Sequence, residues 1–121
     1  MLVCAACARQ SLDDFLEEGE GITRALVIEL KQVRTRDDLL AHAAKLQQLF
    51  NALVDVIIRA QEFKDLHPNA QPSNTYVNEQ IMGDQLRVEL NRVLRMEGGR
   101  EVIEKTQEEA LNRLDTFEQS R

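Results

Sequence analysis

The sequence predicts an all-α fold, an antiparallel up-down-up-down four-helix bundle, and three observations carry that expectation. Between Leu39 and Phe63, apolar residues Leu46, Leu49, Leu53, Val56, Ala60 and Phe63 recur at alternating three- and four-residue steps, with Leu39, Ala43, Phe50 and Ile57 alongside. That spacing places them on one stripe of a long helix, which needs other helices to cover it. Aromatic residues make up only 4% of the chain, so a core must be built from Leu, Ile, Val and Ala. Such a core suits helix-on-helix packing better than a β sandwich. Finally, three breaks rich in Gly, Pro, Asn, Thr or Asp divide the chain into four helical stretches.

The 121 residues suffice for one domain that buries roughly 65% of its extended surface, enough for a core without metal or disulfide. The expected helices cover about 12–33, 36–64, 74–96 and 100–119, within a domain spanning 9–121. Ser11 and Asp14 have the spacing of a capping box, in which hydroxyl and carboxylate satisfy the free N–H groups of a helix start. The first helix carries Leu12, Leu16, Leu26, Leu30 and Val33 on one face, and Gly19 and Gly21 are expected to weaken or bend it. Thr35 and Asp38 repeat the capping pattern, and the link before them is so short that the first two helices must run antiparallel. The second helix spans some 25 residues, about 38 Å.

Residues 64–74, KDLHPNAQPSN, read as a loop, with Ser73 or Thr75 able to cap the third helix. Gly98-Gly99 marks the third helix's end, with Arg92 and Arg95 in its last turns, where the dipole favours cations. Glu101 and Glu104 open the fourth, whose inward seam is Ile103, Thr106, Ala110, Leu114 and Phe117.

A net charge of −6 repels phosphate backbones, so nucleic acid is not an expected partner. Catalysis finds little support: the chain has no Gly-rich phosphate loop and no His-Glu-x-x-His motif. With two histidines and no Glu-x-x-His pair, neither a heme nor a di-iron centre is expected, and no cofactor or metal is assigned. The chain reads as non-catalytic, a binding or structural module. Helices two and three carry more apolar residues than one inward stripe needs: Leu40, Val54 and Ile58 on one, Val77, Ile81 and Val88 on the other. These are the expected surface for a protein partner, or for a second copy in a homodimeric scaffold.

Residues 1–8, MLVCAACA, are uncharged and set apart from the charged chain that follows. Cys4-Ala5-Ala6-Cys7 resembles the end of a bacterial lipoprotein signal, although Cys4 stands where that family prefers Leu. The resemblance implies that Cys7 is the acylated anchor, that residues 1–6 are a signal remnant, and that the protein is tethered to a membrane in the cell envelope or periplasm. A frayed N-terminus with incidental thiols is the plain alternative, and a Cys-x-x-Cys redox or zinc pair lacks a second ligand pair. His42-Ala43-Ala44-Lys45 resembles the phospho-accepting stretch of histidine phosphotransfer domains, which are acidic four-helix bundles. That resemblance implies a cytoplasmic signalling role with His42 as phospho-acceptor and Lys45 beside it; Leu46 replaces the Gly that family has next.

Overall fold

The computed structural model describes residues 11–71 and 76–121, excepting the side chains of 76–81. Four helices account for almost all of it: α1 (Leu12–Lys31), α2 (Arg36–Leu66), α3 (Tyr76–Leu94) and α4 (Gly99–Gln119). Among the described residues there is no strand.

The helix starts follow from their capping side chains. The Asp14 carboxylate accepts from the Ser11 N–H (3.0 Å). At α2 the exchange is reciprocal: the Asp38 N–H donates to Thr35 Oγ1 (3.1 Å), and Asp38 Oδ2 accepts from the N–H groups of Thr35 (3.2 Å) and Arg34 (3.0 Å). The Arg34 N–H, ahead of the Thr35 groups, holds the Asp38 carboxyl below the ordinary carboxylate range. α1 continues as helix through Gly19 and Gly21.

Gly98 turns the chain from α3 into α4 with φ of 73°, a left-handed conformation that costs glycine nothing and an L side chain roughly 1–2 kcal/mol. Next to it, a Cβ on Gly99 would collide with the Val93 carbonyl oxygen. This closeness of backbones fixes where α3 stops.

Cross-helix bonds give the pairing. Glu29 meets His42 and Glu18 meets Arg59, so α1 and α2 run in opposite directions. Asn51 bonds Glu109, Asp55 bonds Arg113, and Asp65 bonds Arg121, so α2 and α4 run in the same direction along their contact. Arg92 near the end of α3 donates to the carbonyl oxygens of Leu30 (2.7 Å) and Val33 (2.8 Å) at the end of α1. The Leu30 carbonyl also takes the Val33 N–H (3.0 Å), so the guanidinium is a further donor there that clamps α3 to the end of α1. Among the described residues the diagonal pairs, α1 with α4 and α2 with α3, do not pack directly, and α3 with α4 is the sparsest of the touching pairs.

The core is tightest at the end where the α1–α2 and α3–α4 turns lie. Leu26, Leu30, Val33, Leu39, Leu46 and Val93 are fully buried there, with Ile103 almost so. Thr106 sits among them, its hydroxyl donating to the Ile103 carbonyl (2.7 Å) and so satisfied.

Candidate binding trough

At the other end the interior does not close. Ile57 lies on the same inward face of α2 as Leu39, Leu46 and Phe50, yet it is 39% exposed. The reason is the course of α4. Its side-chain bonds hold it against the flank of α2 that carries Gln47, Asn51, Asp55 and Asp65. It contributes no residue to the space between α2 and α3.

What remains is a trough of about 520 Å³ with α1 as its floor. Phe15, Leu16 and Gly19 form the floor, Leu53, Val56, Ile57 and Ala60 one wall, and Met82, Leu86 and Leu90 the other. Small residues keep it open: a Cβ on Gly83 would meet nothing within 4 Å, and one on Gly19 only the Val56 methyl at 3.8 Å. The charged and hydroxyl groups at the rim are already engaged. Arg87 pairs with Asp84 (3.0 Å), Glu20 with Arg24 (2.8 Å), and the Thr23 hydroxyl donates to the Gly19 carbonyl (2.8 Å). A cavity with an apolar lining and internally paired rim groups binds by burying apolar surface. Among the described residues it holds no set of converging acids, bases or nucleophiles, and no group of three His, Cys, Asp or Glu is placed to hold a metal.

The residues singled out from sequence do not gather into one surface. The exposed flank expected at Val54 and Ile58 is instead covered by α4: Val54 is buried, and Ile58 packs partly buried against the core. Leu40 (50%) and Val88 (63%) are exposed, but they sit on the two helices that do not pack together. The side chains of Val77 and Ile81 lie outside the described residues, as do Cys4 and Cys7.

His42 faces α1, its Nδ1 2.6 Å from a Glu29 carboxylate oxygen, with the imidazole side chain 27% exposed. Lys45 is exposed and Leu46 fully buried. The histidine therefore joins two helices near their turn, with a carboxylate against its ring.

Sequence reasoning placed Leu53 and Ile57 on a stripe to be covered by other helices and so missed the trough. The available signal was the small residues on inward stripes, Gly19, Ala60 and Gly83, which leave the interior underfilled. No helix among the described residues is long and apolar enough to cross a membrane. Comparison with known proteins finds no significant match to a family model, a curated protein or a solved structure.

Proposed function

We propose that the chain is a non-catalytic binding module, built as an antiparallel up-down-up-down four-helix bundle whose open end receives an apolar element of another molecule. The pairing supports the bundle: α1 and α2 oppose one another, α3 follows α1, and α4 follows α2. The exposure of Ile57 at a core position, between helices with no fourth helix over them, carries the binding reading. Uncovered apolar surface of this kind, concave and contiguous, marks a place where another surface docks.

A neutral environment-sensitive dye such as Nile red tests it. Its fluorescence should rise with the native chain and fall back in Ile57→Glu and Leu86→Glu, whose circular dichroism should stay helical. A dye signal absent from the native chain, or unchanged in both variants, contradicts the reading. Tethering through Cys7 is a separate proposal resting on the Cys4-Ala5-Ala6-Cys7 resemblance alone. Intact-mass measurement on protein from its source reads it as a lipid adduct on Cys7 with loss of residues 1–6; an unmodified Cys7 removes it.

A further inference from the structure

The outer wall formed by α1 and α3, on the side of these helices away from the trough, carries a charge opposite to that of the chain as a whole. Arg24, Ile28 and Lys31 stand at i, i+4 and i+7 on α1, so they share one stripe. Leu26 and Leu30 on the same turns are buried and Glu29 faces α2, which leaves that stripe turned outward with Ile28 54% exposed. Val88, Arg92 and Arg95 repeat the i, i+4, i+7 spacing on α3, and Val88 is 63% exposed. The bonds from Arg92 to the Leu30 and Val33 carbonyls set the two stripes level and side by side. Glu20 pairs with Arg24 and Glu89 with Arg92, while Lys31 and Arg95 have no ion pair among the described residues. Glu17, two turns before Arg24, ends the basic stripe. A chain of net charge −6 thus shows a wall of four cations against two carboxylates, with Ile28 and Val88 uncovered among them.

The outward stripe of α4 has the complementary pattern. Glu101, Glu104, Glu108, Leu111 and Asp115 recur at three- and four-residue steps, on the side away from the buried Ile103, Thr106 and Ala110. Leu111 is 51% exposed there. Arg100 approaches Glu104 at 3.7 Å and Lys105 stands at the stripe's edge, so this face sets four carboxylates against two cations. Read backwards along α4, Asp115, Leu111 and Glu108 are separated by four and then three residues, the same steps that separate Arg24, Ile28 and Lys31 read forwards on α1. Laid antiparallel, the two helices bring Asp115 to Arg24, Leu111 to Ile28 and Glu108 to Lys31 over about 10 Å.

We infer that the α1–α3 wall receives α4 of a second copy of this chain, Leu111 seated over Ile28 with Val88 beside it, Asp115 meeting Arg24 and Glu108 meeting Lys31. The contact is heterologous. Each copy offers a wall on one side and an α4 face on another, so a pair leaves one of each unused and further copies add until a ring closes. Two walls, or two α4 faces, repel one another. Exposed charge pairs supply register and steering more than affinity, so the association is weak and reversible. Ile28, Val88 and Leu111 line no part of the trough, and its binding role is untouched.

Sedimentation velocity of the full chain over rising concentration at low ionic strength tests this. The weight-average mass should climb above that of one chain, and raised salt should return it to monomer. Lys31→Glu and Glu108→Lys should each weaken association roughly tenfold, since an attractive pair becomes a repulsive one. The double variant Lys31→Glu with Glu108→Lys has the native net charge and should recover association. Ile28→Glu should weaken it at least about tenfold with helical circular dichroism unchanged.

A chain that stays monomeric at low salt overturns the inference. So does association that is indifferent to salt or to Lys31→Glu, or a double variant no better than the single ones. Association abolished by Ile57→Glu would assign the contact to the trough and refute the wall. A monomer that instead co-sediments with phosphatidylserine vesicles, and loses them on Lys31→Glu, would give the wall to a membrane and refute a second copy. Nile red binding reads the trough separately, so each of these failures leaves the binding reading standing.

Discussion

Two truncations on the same face of α2 separate a closed interior from an open one. Leu46 has no exposed surface, and a buried Leu→Ala change in a packed core costs about 3 kcal/mol or more, since the lost transfer energy is joined by a cavity that the surroundings fill only in part. Ile57→Ala removes three carbons, worth about 0.8 kcal/mol each when fully buried. At 39% exposure, roughly three-fifths of that applies, and a site already open to water leaves no sealed cavity, so the expected cost is about 1.5 kcal/mol. The two variants should therefore differ about twofold in ΔΔG. Urea melts monitored by helical circular dichroism read this directly, provided the slope with denaturant is unchanged. Thermal midpoints should follow, with Leu46→Ala falling by something like 12 °C and Ile57→Ala by about 6 °C. Equal costs, or a larger cost for Ile57→Ala, would place Ile57 in a sealed core and refute the open trough.

Other expectations concern the frame that holds the trough. Arg92→Met keeps the aliphatic stem and removes the bonds to the Leu30 and Val33 carbonyls. With the Arg92 side chain 40% exposed, water takes over part of the role, and chemical denaturation should show a loss of about 1–2 kcal/mol. Gly99→Ala drives a methyl into the Val93 carbonyl oxygen, and should cost about 2 kcal/mol or more, with hydrogen exchange accelerating first around the α3–α4 turn. Asp38 titrates lower in the folded chain than when unfolded. Its contribution is thus fully present above the unfolded carboxylate pKa of about 4 and is lost as pH falls through the folded value. Asp38→Asn should accordingly flatten the acid limb of the stability-against-pH curve; an unchanged limb would show that the cap bonds do not persist in solution.

Much of the frame was legible because it depends on local spacing. The Ser11–Asp14 and Thr35–Asp38 patterns mark two helix starts, and Gly98-Gly99 marks a turn whose geometry excludes a side chain. The surface was less legible, since a hydrophobic stripe reports how much apolar area a helix has and not which neighbour covers it. Val54 and Ile58 read as surplus on α2, but α4 lies along that flank and covers them. Ile57 read as core, but that same displacement of α4 leaves it uncovered. The decisive information is in bonds between residues about 60 apart in sequence, Asn51 with Glu109 and Asp55 with Arg113, which no local pattern encodes. Arg92 shows the same gap: its position near a helix end is visible in sequence, but its grip on the end of a different helix is not.

Native-state thiol labelling tests whether the bundle's interior is open most directly. In a chain carrying Cys4→Ser and Cys7→Ser, single Ile57→Cys and Leu46→Cys variants would be exposed to a small maleimide without denaturant. The open trough predicts that the thiol at position 57 reacts at a rate near that of the unfolded chain, while the thiol at 46 reacts only as fast as the protein globally unfolds. Equal protection of both thiols would contradict it.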